Sequence, residues 1–211
     1  MSQITSFEWV LPKDWWWLPD YEENYDYDAW ARELSQRLVP DVDHRKAKVI
    51  SVGAGFDVAW EKFDDRYVEG MRSAVWMPVA PPWELKGQLF FWVSRDVRLD
   101  QMPEKLMAWT NRKTDIIYSS PDPFQASVPA GQVRGIRTAE TYLGWDTWSG
   151  RDGQSMRDEV VYLGISPVGC LDVLEVRAVC PDGSTWDGTP WNDTMAQMVV
   201  DLLSSLTMTT S

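Results

Sequence analysis

The sequence contains very little of the chemistry on which hydrolytic and metal sites depend. It has one histidine and two cysteines in 211 residues. A Ser/His/Asp or Cys/His catalytic group would have to use His44, which stands in a charged stretch typical of a solvated loop. One histidine and two poorly spaced cysteines cannot close a tetrahedral zinc site without several carboxylates. We therefore expect no metal site, no bound cofactor and no catalytic residue.

Basic residues are also in deficit. The chain has 20 lysines and arginines against 32 aspartates and glutamates, and its net charge is -12. Attraction to phosphate backbones or to anionic lipid depends on clustered Lys and Arg, so we exclude nucleic acid as a partner. An acidic exterior instead favours a protein partner with a basic surface.

Long apolar runs are absent as well. No stretch approaches the roughly 18 consecutive apolar residues that indicate a membrane span. The first ten residues lack the basic segment followed by an apolar run that marks a secretory leader. We expect no membrane insertion and a cytoplasmic location.

The two cysteines are predicted to stay unlinked. If Cys170 and Cys180 close a single strand, they lie about 33 Å apart at roughly 3.3 Å per residue. A disulfide requires Cα atoms within about 7 Å of each other. We interpret both residues as core thiols.

The elements that the sequence does indicate are two amphipathic helices and a series of short strands. An i, i+3, i+4, i+7 stripe that includes Trp30 and Leu34 predicts a helix over 26–39, and a second apolar stripe predicts one over 193–206. Apolar or alternating runs predict strands over 89–93, 133–142, 159–165 and 171–179. We expect an α+β fold in a single domain, 1–211, with one antiparallel sheet flanked by the N-terminal and C-terminal helices.

This order of elements resembles the PsbP-like α/β/α sandwich. The residues that carry the likeness are the aromatic segment Trp9 to Trp17 and the closing segment Trp186 to Leu206. The group includes photosystem extrinsic subunits, nuclear-import factors that bind a small GTPase, and LpqN-like actinobacterial proteins. The resemblance implies a scaffold for protein binding, usually without an active site, and it transfers no functional residue.

One glycine-rich turn supports an enzymatic alternative. Gly53, Ala54 and Gly55 follow a short apolar run and precede a helical pattern, an order that lets a backbone approach a nucleotide closely. The turn is similar to the first glycine motif of S-adenosylmethionine-dependent methyltransferases. A methyltransferase would also need alternating helices and parallel strands after this turn, whereas the residues that follow the turn indicate antiparallel strands.

Tryptophan is the abundant residue, with 14 in the chain. Trp15, Trp16 and Trp17 cannot all point inward from an extended segment, because successive side chains alternate sides. Trp145 and Trp148 pose the same difficulty in a Gly-rich loop. We interpret these five residues as a partner-binding surface, since interfaces favour aromatic anchors. The predicted function is a non-enzymatic protein-interaction or accessory factor; the alternatives are a methyltransferase and a carbohydrate-binding module.

Overall fold

The structure is a computed structural model that describes residues 2–20, 26–38, 69–77, 86–110, 117–143, 155–180 and 195–211. The chain forms two compact units, one of Met1–Val10 with Val93–Ser211 and the other of Leu11–Trp92. The expected single domain stays a prediction. In chain order the strands and α-helices are β1 (Ile4–Trp9), β2 (Trp15–Trp17), α1 (Tyr27–Leu38), β3 (Arg72–Trp76), β4 (Gly87–Ser94), α2 (Met102–Thr110), β5 (Ile117–Tyr118), β6 (Asp122–Val128), β7 (Gly131–Leu143), β8 (Ser155–Ser166), β9 (Val173–Cys180), α3 (Met195–Leu202) and β10 (Leu206–Thr210).

An antiparallel meander of β7, β8 and β9 forms the centre of the first unit. β8 pairs with β7 over its whole length, and β8 also pairs with β9. The other edge of β7 is shared by β5 and β6. Helix α2 lies on the face that carries Gly164, where an added Cβ would come within 2.9 Å of the Met102 side chain. The meander predicted from the sequence is confirmed.

The two ends of the chain form a separate ribbon in the same unit. β1 pairs antiparallel with β10, and a bulge interrupts the register between Ile4 and Ser6. The Trp9 Nε1–H donates to the Leu202 carbonyl oxygen at 2.9 Å, which joins the ribbon to the end of α3. Ile4 and Leu206 are buried, so one side of the ribbon contributes to the core.

The second unit contains β2, β3 and β4 as an antiparallel sheet, together with α1. The central strand β3 pairs with β2 on one edge and with β4 on the other. Ala74 and Val75 are inaccessible to solvent, as are Leu89 and Phe91 in β4. Helix α1 covers the range predicted for it to within a residue at each end.

The predicted fold class is wrong. The described residues are mostly β-strand and include three short α-helices, so the protein is not a helix-flanked α/β/α sandwich. The C-terminal helix shows the physical reason. It ends at Leu202, and a 3₁₀ turn leads into β10, where Leu206 pairs with Trp9. The threonines of β10 favour an extended backbone, and long-range pairing with β1 outweighed the helical spacing of the preceding residues.

Cys170 and Cys180 are not joined by a disulfide, as predicted. Cys180 ends β9, but Cys170 lies in the turn that precedes this strand, so the assumption of one uninterrupted strand was too simple. Among the residues that the structure describes, no helix is long and apolar enough to cross a membrane.

A buried carboxylate fastens β1 to the meander. Asp172 precedes β9, and its side chain is inaccessible to solvent. Its Oδ2 accepts hydrogen bonds from the Ile4 amide at 2.9 Å and from the Arg95 guanidinium, and its Oδ1 accepts one from the Asp96 amide at 3.4 Å. Burial opposes the charge of Asp172, but these donors outweigh burial and hold its pKa below the ordinary value.

We predict that Asp172→Asn lowers the free energy of unfolding by about 2 kcal/mol at pH 7, the scale of hydrogen bonds to a charged group. Because the folded-state pKa is depressed, this contribution is present above the unfolded value of about 3.9 and is lost as the pH falls through the folded value. Urea unfolding should therefore show the gap between wild type and variant closing in strong acid. Asp100→Asn, which removes an exposed carboxylate, is the control and should have a much smaller effect, because its ion pair is in contact with water; a gap independent of pH would contradict the assignment.

Candidate functional site

The segment of consecutive tryptophans forms β2 and is held by its neighbour β3. The Trp15 and Trp76 residues are direct cross-strand partners, and their rings stack with centroids 6.5 Å apart. Trp15 is buried, whereas Trp16 and Trp17 are half-buried. Trp145 and Trp148 lie outside the described residues. The structure thus assigns a core role to Trp15 and leaves Trp16 and Trp17 with accessible ring surface.

The ring of Trp17 is fixed from two directions. The Arg72 guanidinium carbon lies 4.2 Å from the ring centroid, in a cation–π contact. The Phe91 ring is tilted against it with centroids 5.5 Å apart. The Asp20 carboxylate lies 3.7 Å from Arg72 and favours the position of the guanidinium. These contacts therefore restrict the rotation of the Trp17 side chain.

The ring of Trp16 is oriented by a hydrogen bond to the backbone. Its Nε1–H donates to the Met77 carbonyl oxygen at 3.3 Å, and the Met77 amide donates to the Asp14 carbonyl at 2.9 Å. Asp14 has a φ of 65°, an uncommon conformation for a residue other than glycine. This tight turn begins β2 and sets the direction in which Trp16 points.

Helix α1 supplies the remaining aromatic wall. Asp26 precedes the helix, and its Oδ1 accepts a hydrogen bond from the Ala29 amide at 3.0 Å, the usual arrangement at a helix N-terminus. Trp30, Leu34 and the last residue, Leu38, follow at four-residue spacing and so share one face. The Trp30 ring also contacts the Tyr27 ring, with centroids 5.4 Å apart.

These side chains border an open cavity of about 400 Å³, which we call the tryptophan cavity. Every side chain known to line it, within the described part of the chain, is apolar; the set is Leu11, Trp16, Trp17, Trp30, Leu34 and Leu38. Its volume falls within the range of ligand pockets. Such a cavity can accept an apolar group, but its described lining offers no carboxylate, amide or hydroxyl side chain to a sugar.

Sequence reasoning identified Trp16 and Trp17 but did not place Leu11, Trp30, Leu34 and Leu38 in the site. The last three had been assigned to the apolar stripe of a packed helix. Their four-residue spacing was the available signal, but spacing alone does not show whether a stripe meets the core or borders a cavity.

A second depression, of about 350 Å³, lies in the other unit beside the Cys170 turn. On its border Arg98 and Asp100 form an exposed ion pair that raises the pKa of Arg98 and lowers the pKa of Asp100. The Cys170 Sγ–H donates to the Ser2 carbonyl at 3.2 Å. The two charges are satisfied by each other, so this depression presents no unbalanced charge to a ligand.

A cluster of three polar side chains is buried in the meander. The Tyr162 hydroxyl donates to Glu140 Oε1 at 2.6 Å, and Arg177 donates to Glu140 Oε2 at 2.6 Å and to the Tyr162 oxygen at 2.8 Å. Burial opposes the charge of Arg177, but the nearby Glu140 and Tyr162 outweigh it and raise its pKa. Because the three side chains are inaccessible to solvent or nearly so, we assign them a structural role.

His44 and the turn of Gly53, Ala54 and Gly55 lie outside the described residues. Within the described ranges, no group of three or more His, Cys, Asp or Glu residues could hold a metal ion.

No protein-family model matches the chain, and a search of curated proteins finds no match either. The resemblance to the PsbP-like group therefore stays a prediction, separate from the corrected fold class.

The three consecutive tryptophans should differ in their effect on stability. We predict that Trp15→Ala lowers the free energy of unfolding by about 3 to 5 kcal/mol, as expected for a large core side chain. Trp16→Ala should cost about 1 to 2 kcal/mol, because this ring is only half-buried. Urea unfolding monitored by circular dichroism measures both. Equal losses would contradict the division between core and cavity wall.

The buried cluster should behave as one coupled unit. Arg177→Met leaves the Glu140 carboxylate buried without its cation and should cost about 3 to 5 kcal/mol. The double variant Glu140→Met/Arg177→Met should cost less than the two single variants added together. Arg157→Met, which removes an exposed partner of Glu159, is the control and should leave unfolding unchanged. Strict additivity would show that the contacts are not coupled.

Proposed function

We propose that this protein is a non-enzymatic protein-interaction factor of the cytoplasm that holds an apolar side chain of its partner in the tryptophan cavity. The observation that supports it is the apolar described lining of this cavity, whose walls are held in place before any partner arrives. A few residues supply most of the binding energy at protein interfaces, and tryptophan is enriched among them. Walls that are already ordered lose little conformational entropy on binding.

The charge of the chain supports the choice of partner. With a net charge of -12, the protein attracts a basic surface over long range and repels an acidic one. The cavity lining itself contributes no charge among its described residues. We therefore expect charge to set the rate of association and selectivity, and apolar contact in the cavity to set the lifetime of the complex.

The test begins with a photoreactive amino acid at Leu11 on the cavity wall, introduced in the native cell. A matched chain carries it at Val168, which is 92% exposed and distant from this site in the sequence. We expect a partner that crosslinks from position 11 and not from position 168. The purified partner should then bind Trp16→Ala at least about tenfold more weakly than wild type, a loss of about 1.4 kcal/mol.

Trp92→Ala is the matched control. Trp92 is another half-buried tryptophan of the same unit, it does not pair with β2 or β3, and it is not part of the described lining, so its replacement should leave the affinity unchanged. Binding should also weaken as salt rises, because the charges that steer association are screened. Equal losses for the two tryptophans would count against the cavity. Saturable micromolar binding of S-adenosylmethionine or of an oligosaccharide would instead support the enzymatic or carbohydrate-binding alternative.

A further inference from the structure

The outer edge of β10 is a second surface suited to protein contact. β1 and β10 make a two-stranded sheet, and no third strand joins it among the residues that the structure describes. Gln3 and Ser211 exchange both of their backbone hydrogen bonds, at 3.3 and 3.0 Å. Because bonding direction alternates along an antiparallel strand, the N–H and C=O groups of Met208 and Thr210 point to the opposite edge.

The side chains of this strand do not protect its edge. Natural edge strands are commonly blocked by lysine, proline or a bulge. β10 has the sequence LTMTT, with no charge and no proline, and the irregularity of the ribbon falls in β1 between Ile4 and Ser6. Thr207, Thr209 and Thr210 are exposed. A further strand could therefore add to β10 without burying a charged side chain of this strand.

We propose that β10 pairs antiparallel with β10 of a second copy of this chain, about a two-fold axis at Met208. The two Met208 residues then exchange both backbone hydrogen bonds. Each Thr210 amide reaches the Leu206 carbonyl of the other copy, since the Leu206 amide itself donates to Leu203. The product is a four-stranded sheet, which is more stable than an isolated two-stranded ribbon.

The absence of charged side chains on β10 fits a second copy better than a basic partner. Two chains that each carry a net charge of -12 can approach closely only where carboxylates do not face one another, and β10 meets this condition. A basic partner would be recognised through acidic side chains, which this strand lacks. In the proposed register Thr207 of one copy lies opposite Thr209 of the other in a non-hydrogen-bonded pair, where side chains are closest and threonines pair favourably.

Sedimentation equilibrium tests the proposal at about 0.15 and about 0.5 M NaCl. We expect a monomer–dimer equilibrium that shifts toward the dimer at higher salt, because screening reduces repulsion between the acidic copies. Met208→Pro breaks no backbone hydrogen bond of the β1–β10 ribbon, because the Met208 N–H faces outward, and it should weaken the dimer at least tenfold. A wild-type monomer at every concentration up to roughly 0.5 mM, or a dimer that Met208→Pro leaves intact, would overturn the proposal.

Paired charge variants at two exposed threonines test the register. Because Thr207 lies opposite Glu8 of β1, circular dichroism must first show that each variant chain is folded. Thr207→Lys/Thr209→Lys adds two positive charges and takes the net charge from -12 to -10, so general repulsion falls. Strand pairing nevertheless predicts a monomer, since like charges lie opposite each other. Thr207→Glu/Thr209→Glu should also be monomeric, and an equal mixture of the two variants should dimerise. A mixture of folded chains that stays monomeric would contradict the register; the Val168→Lys control should dimerise like wild type.

Discussion

Strand β9 is buried on both faces, and the need to pair its polar side chains constrains the whole first unit. Every residue of this strand is buried, so its alternate polar side chains cannot be solvated and must be satisfied inside the sheet. Arg177 is the critical case, because an uncompensated guanidinium is very costly to bury. Its partners come from both other strands of the meander, Glu140 from β7 and Tyr162 from β8. The three strands must therefore adopt one register relative to each other, since a slip of one residue would separate the charges and expose them to an apolar face.

This network also shows how far sequence reasoning reaches. The alternation in β9 correctly predicted a strand, and it is the pattern typical of a strand with one face in water. What the pattern could not reveal is that the polar face is buried as well, because the compensating residues lie about 15 and 37 positions away. The strands of the meander were predictable from local pattern. The pairing of their side chains depends on contacts between distant positions, which one sequence does not display.

The prediction for the two ends of the chain was wrong for a similar reason, because their structure also depends on distant contacts. Residues 4–9 and 206–210 are strands because they pair with each other across nearly the entire sequence. Neither segment has a local pattern strong enough to outweigh a competing interpretation, and Leu206 fitted the helical stripe that precedes it. Asp172 accepts a hydrogen bond from the Ile4 amide and so holds the N-terminal strand in place. From the local sequence alone, this aspartate would be taken for an ordinary turn residue. The predicted α/β/α sandwich required a longer C-terminal helix than this long-range pairing permits.

The three consecutive tryptophans differ in burial because each ring has a different neighbour. Alternation correctly indicated that Trp15, Trp16 and Trp17 could not share one environment, but it could not say which ring is buried, because that depends on the partner strand. Trp76 lies opposite Trp15 and stacks on it, which commits that ring to the core. Trp17 is instead held at its ring face by Arg72, and Trp16 at its ring nitrogen by Met77. The contacts of Trp16 and Trp17 restrict the rotation of two rings that border the cavity, so these rings lose little conformational entropy when a group binds there. An apolar group that leaves water for this cavity gains free energy in proportion to the apolar area that it buries there.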